Sequence, residues 1–121
     1  MINEFECMIG KTFREVTGAE HAEEMVFRGA SGAPSFRFYH AEDCCESVQI
    51  VDIIGDLADL VGSPIVEAVE VSNEDAPVVE AESYTWTFYR FSTVRGTVTV
   101  RWLGESNGYY SEGVAFEQIE E

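Results

Sequence analysis

Apolar and polar residues alternate along most of this chain with the two-residue period of β-strands whose faces look opposite ways. Residues 11–16 and 24–28 are short alternating runs on either side of Thr17-Gly18-Ala19, and they predict a first hairpin. Residues 29–34, Gly-Ala-Ser-Gly-Ala-Pro, are a loop by composition, and residues 35–40 alternate again as a third strand. Residues 48–51 are a short apolar run, either a buried strand or the entry to a helix. Residues 65–71 predict a strand in which neither parity is purely apolar. Residues 72–77 form a loop. Residues 82–94 carry the strongest strand signal, dense in aromatic and β-branched side chains. Arg95-Gly96 turns the chain back into residues 97–104. The pair Asn107-Gly108 suits a type I′ turn. Residues 109–119 are therefore expected to fold back and complete a three-stranded C-terminal meander.

Two stretches depart from that period. Residues 1–10 fit one helical turn with Phe5, Met8 and Ile9 on one side, closed by Gly10. In residues 52–61, Ile53, Leu57, Leu60 and Val61 fall at i, i+4, i+7 and i+8, one apolar face of a short helix. Asp52 stands where an N-cap belongs, and Gly62 and Pro64 supply the stop. Gly55 weakens this helix by roughly 1 kcal/mol relative to alanine, so it depends on packing. Tyr84, Trp86 and Phe88 share one face of the meander, and Tyr89 and Phe91 the other. A sheet apolar on both sides must be covered twice. The expected fold is therefore α+β: a mostly antiparallel, strongly bent sheet with one central helix, in a single domain spanning 1–121. The second apolar face allows a homodimer.

Charge narrows the function. The 121 residues hold 23 acidic against 7 basic side chains, a formal net charge of -16, with 45% apolar residues. That is a globular composition. The excess disfavours direct binding to nucleic acid or an anionic membrane, which needs Lys and Arg. It favours a basic protein surface. No run of about 18 apolar residues predicts a membrane span, and no signal peptide is legible at the N-terminus. Cys7, Cys44 and Cys45 are an odd count with two adjacent. That is a poor disulfide framework, and it points to free thiols in a reducing cytoplasm.

Three groups of residues are candidates for chemistry. Between Phe38 and Tyr89 there is no Lys or Arg, while 12 of the 23 acidic residues lie there. Within this belt Asp52, Asp56 and Asp59 would share one face of the expected helix, and Glu67, Glu70, Glu74 and Asp75 follow. Unneutralised like charge destabilises a fold unless solvent or a partner repays it. Trp86, Arg90, Arg101, Trp102 and Tyr110 would serve as an alternative ligand pocket, stacking a base and pairing its phosphate. Cross-strand packing is the plainer account of them. His40, Asp43, Cys44 and Cys45 carry zinc-ligand chemistry. Adjacent cysteines in an extended segment point to opposite faces, so no metal and no cofactor is expected, with a metal-dependent enzyme as the alternative. No catalytic motif is present.

The blocks Asp43-Cys-Cys-Glu46, Gly55-Asp-Leu-Ala-Asp-Leu60, Trp86-Thr-Phe-Tyr89 and Gly104-Glu-Ser-Asn-Gly-Tyr-Tyr-Ser-Glu112 resemble a family of small phage and prophage proteins of unknown function. The likeness runs from about Met8 to Phe116. It implies a phage-type accessory protein in the cytoplasm of a bacterial host, and it transfers no activity. Combined with the charge, the expected function is non-catalytic: inhibition of a host defence system, such as an anti-CRISPR or anti-restriction protein, by binding a basic surface. A small-molecule or nucleotide-signal binder is the alternative.

Overall fold

The computed structural model describes residues 4–30, 32–41, 46–71, 79, 82–108 and 112–119. The chain forms two four-stranded antiparallel sheets packed as a β-sandwich. After a 3-10 turn, η1 (Glu4–Met8), come β1 (Phe13–Thr17), β2 (Glu24–Gly29), β3 (Ser35–Tyr39) and β4 (Ser47–Ile54). A second 3-10 turn, η2 (Leu57–Leu60), leads to β5 (Glu67–Val71), β6 (Ser83–Thr93), β7 (Gly96–Ser106) and β8 (Ala115–Ile119). The first sheet has the order β1-β2-β3-β8 and the second β4-β7-β6-β5.

Period-two alternation does most of this work. Phe27 and Phe38 from the first sheet meet Phe91 and Tyr89 from the second, with ring centroids 4.9 Å apart in each pair. Val98, Val100 and Trp102 of β7 extend the same inner layer and are fully buried. The core is built from two inner sheet faces. The two helical turns plug it: Phe5 and Met8 of η1 and Leu60 of η2 are buried in that layer. Ile9, expected beside Phe5 and Met8, is instead 42% exposed.

This overturns the α+β expectation. The described residues contain no α-helix, and the expected helix over 52–61 does not form. Residues 52–54 end strand β4, which pairs with β7. Gly55 then takes φ +115°, a backbone conformation that L side chains rarely adopt. A Cβ there would sit 2.7 Å from the Thr97 carbonyl oxygen. The N-cap is Asp56, not Asp52: its carboxylate accepts from the Ala58 amide at 2.9 Å. The helical spacing of Ile53, Leu57 and Leu60 arose from a strand end and one 3-10 turn that both face the core. Gly55→Ala is expected to cost about 2–3 kcal/mol, from left-handed strain and the clash with Thr97. A urea melt within error of wild type would show that the turn relaxes freely.

The C-terminal meander is corrected as well. β6 and β7 form the expected long hairpin. β8, however, pairs with β3 in the other sheet, Phe38 opposite Phe116. The segment after Asn107-Gly108 therefore crosses between sheets. Gly104 permits this crossing, because a Cβ there would lie 2.2 Å from the Glu112 carbonyl oxygen. Residues 109–111 lie outside the described set.

Two loops bond to strand edges. The His21 amide donates to the Ile50 carbonyl and the Ile50 amide to Ala22. On the first sheet the Gly62 amide donates to the Phe13 carbonyl and the Ile65 amide to Lys11.

Candidate functional site

Two regions stand out: a buried polar tie at one end of the sandwich, and the outer face of the second sheet.

The polar tie follows from register. Tyr39 lies opposite Ala115, so His40, the next residue, reaches the chain just before β8. Its Nδ1 lies 2.8 Å from the Gly113 carbonyl oxygen, and its Nε2 lies 2.8 Å from Glu46 Oε2. The His40 side chain is 7% exposed and that of Glu46 1%. A carbonyl oxygen only accepts, so Nδ1 carries a hydrogen. The contact from Nε2 to Glu46 then needs one proton on it, donated by imidazolium or by the carboxylic acid. Next to this pair Glu112 accepts from Thr85 Oγ1 at 2.7 Å and from Ser106 Oγ at 2.5 Å. Burial pushes the Glu112 carboxyl up, but hydrogen bonds from Ser106, Ser83 and Thr85 outweigh it and hold the group below the usual glutamate range. The tie thus joins β3, β4, β6, β7 and the crossover to β8.

Glu23, His40, Glu46, Ser47 and Val48 line a depression of about 60 Å³ here. Small-molecule sites are typically ~300–1,000 Å³, so this one has room for a few waters and not for a substrate of ordinary size. Of the alternative metal set, His40 is committed to Gly113 and Glu46, while Asp43, Cys44 and Cys45 lie outside the described residues. Among the described residues no group of three metal-ligating side chains converges.

On the second sheet, a bulge at Val51 re-aims the strand. Ile50 opposite Trp102 faces the core, yet Asp52, two residues on, pairs with Arg101 on the outer face. Without the extra residue, strand alternation would bury that carboxylate. Arg101 Nη1 donates to Asp52 Oδ2 at 3.2 Å, and the guanidinium lies 5.2 Å from the Trp86 ring and 5.0 Å from Phe88. Arg90 on the same face makes two bonds of 2.9 Å to Glu67, which also accepts from Ser92. The bond from Arg90 holds the Glu67 carboxyl below the usual range, helped by Ser92. A depressed folded-state value contributes stability above the unfolded value, lost as pH falls through the folded one. In a carboxylate titration by NMR, Glu67 is therefore expected to protonate below the ordinary value near 4.5, and Arg90→Ala should return it there. A Glu67 midpoint unchanged by that substitution would disprove the pairing.

Of the alternative pocket, the structure brings Trp86, Arg90 and Arg101 onto one face. Trp102 faces the opposite way, fully buried, and Tyr110 lies outside the described residues. Trp86 is half-buried. The acidic belt is also redistributed. Asp52 and Glu67 are paired with arginines, Asp56 is a cap, and Asp59 accepts through its backbone carbonyl from Thr93. Asp56 and Glu70 are exposed, while Glu74 and Asp75 are outside the described set. With no helix over 52–61, Asp52, Asp56 and Asp59 form no single row. Glu46 closes the Asp43-Cys-Cys-Glu46 block of the sequence, but its pairing with His40 was not foreseen, and Glu112 was missed as a tie residue. The spacing His40-x5-Glu46 was visible, but its significance depends on where β8 pairs.

Fold and surface together define a small acidic two-sheet β domain, and none of its described helices is long and apolar enough to cross a membrane. Residues 6–116 match a domain of unknown function, DUF7448, and the chain belongs to that family. No curated protein and no solved structure matches it.

Proposed function

We propose that this protein works by binding and not by catalysis, presenting its carboxylates to a basic surface on a partner protein. The observation that supports this best is how the cations are used. Arg28 pairs with Glu15, Arg37 with Glu24 and Glu117, Arg90 with Glu67, and Arg101 with Asp52. Arg14 and Arg95 donate to backbone carbonyls. The six arginines are thus engaged within the fold, four of them by carboxylates, and the acidic residues left over set the sign of the outward field. That field reaches about 8 Å at physiological ionic strength and accelerates encounter with a basic partner.

The likeness to small phage and prophage proteins supplies the context: an accessory protein in the cytoplasm of a bacterial host that blocks a defence nuclease. Its carboxylates would occupy positions built for nucleic-acid phosphates. The test expresses the chain in hosts carrying a restriction system or an RNA-guided nuclease and scores phage plating. Association rates of purified chain with that nuclease are measured at two salt concentrations. Protection, with a rate that falls as salt rises, is expected. Neutralising exposed Asp56, Glu70 and Glu82 to the amides should slow association several-fold, Asn still capping η2. Absence of protection, or association indifferent to salt, would refute this reading.

A further inference from the structure

Among the described residues four large aliphatic side chains are exposed: Ile9, Ile54, Val66 and Val94. Three of them belong to one end of the sandwich. The Gly10 amide donates to the Ile65 carbonyl, and the Ile65 amide to that of Lys11. The Val66 amide donates to the Ser92 carbonyl, two residues before Val94. Residues 9–11, 65–66 and 92–94 therefore run side by side. Val94 stands at the tip, in the two-residue turn that Thr93 and Gly96 close between β6 and β7. Gly, Asn, Asp and Ser are the usual residues of such turns. A valine that is 84% exposed there buries almost nothing for the fold. The turn is nevertheless fixed: Thr93 Oγ1 accepts from the Arg95 amide at 3.1 Å and donates to the Asp59 carbonyl. Clustered apolar side chains held out to solvent on a rigid support mark an interaction site.

Charge at this end runs against the rest of the chain. Residues 9–13, 61–66 and 92–98 include no acid, although 23 of the 121 residues are acidic. They include Lys11 and Arg95, both exposed. Arg95 donates to the Val61 carbonyl, and among the described residues neither cation meets a carboxylate. Glu67, next after Val66, is held by Arg90, and the Asp59 carboxylate stands against Gly96 at the border. We infer that this end of the sandwich docks a short aliphatic segment of a partner protein that carries carboxylates. Its aliphatic side chains cover Val94, Val66 and Ile9, and its carboxylates meet Lys11 and Arg95. The inference goes beyond the binding of a basic surface and does not rest on it, since the two surfaces differ in sign and in place. The chain's net charge permits it, because charges more than about 8 Å away are screened at physiological ionic strength. Two copies meeting end to end would oppose Lys11 and Arg95 to their own counterparts. An anionic membrane, being flat and extended, would meet the acidic surroundings as well.

The test uses the whole chain and three short synthetic peptides: aspartate with valine, lysine with valine, and aspartate with serine. Backbone amide shifts of the chain are followed through each titration. The aspartate–valine peptide should bind about tenfold more tightly than either of the others, and it should move amides of residues 9–11, 65–66 and 93–96. Val94→Ser should weaken it several-fold. Lys11→Gln combined with Arg95→Gln should weaken it and flatten its salt dependence, while Tyr39→Ala on the first sheet leaves it unchanged. If a variant fails to fold, the shift map of the wild-type chain decides. Equal binding of the aspartate–serine peptide would remove the apolar basis of the site, and equal binding of the lysine–valine peptide its charge basis. Either result, shifts confined to other segments, or no binding by any peptide would overturn the inference. A wild-type dimer in sedimentation equilibrium that Val94→Ser dissociates would assign this end to a second copy instead. Pelleting with phosphatidylserine vesicles that Val94→Ser abolishes would assign it to a membrane.

Discussion

Trp102→Ala is expected to lower stability by about 3–5 kcal/mol, the range for a large aromatic side chain lost from a close-packed core. The residue is fully buried on the inner face of β7, opposite Ile50 of β4 and Thr87 of β6. No described strand can move in to fill the space without breaking a ladder. One detail separates this site from an ordinary core position: the indole Nε1 is buried with no hydrogen-bond partner among the described residues. An unsatisfied buried donor costs about 1–3 kcal/mol. Trp102→Phe removes it along with part of the volume, so it should cost only about 1–2 kcal/mol. Urea melts of the three proteins check both numbers. A Trp102→Phe loss above about 3 kcal/mol would mean that removing the orphan donor recovers nothing.

The second large effect belongs to Glu46. Glu46→Ala strips the buried His40 side chain of its Nε2 partner, and breaking a buried pair from one side costs about 3–5 kcal/mol. Glu46→Gln is the informative variant. His40 keeps its Nδ1 hydrogen on the Gly113 carbonyl, leaving Nε2 free to accept in the neutral ring. A glutamine amide donates there, replacing the single proton the pair requires. Most of the stability lost in the alanine variant should therefore be retained, to within about 1 kcal/mol. Urea melts of all three proteins at neutral pH give the comparison. A glutamine variant as unstable as the alanine variant would mean that the contact depends on full carboxylate charge and not on one bridging proton.

Much of the sandwich was written in local pattern. The hairpin of β1 and β2, the third strand, and the long β6–β7 hairpin follow from two-residue alternation, because each strand exposes one face to the core. The helix over 52–61 failed for a reason the residues contained. Ile53 and Ile54 are β-branched, and Gly55 is the residue a chain uses to take positive φ. Periodicity alone cannot separate a helix from a strand end joined to a 3-10 turn when both put leucine or isoleucine on the core side. The partner of β8 was not legible, because it depends on which of two sheets offers an open edge. With it went the His40–Gly113 contact, which joins positions 73 residues apart. The acidic excess was plain from the sequence. Its internal neutralisation at Asp52 and Glu67 depended on a bulge and on strand register.

The loop bonds at Ile50 and Phe13 bear on how this protein behaves when crowded with other chains. Strands β4 and β1 each form one border of a sheet, and a bare border is a template on which another chain's backbone polymerises. Here His21 and Ala22 occupy the carbonyl and amide of Ile50, and Gly62 and Ile65 occupy the carbonyls of Phe13, at the start of β1, and of Lys11 just before it. An incoming strand must first displace these bonds, against a surface whose net charge repels its own kind. The all-β chain therefore carries protection against fibril growth in two ordinary loops, with no helix needed to shield either border.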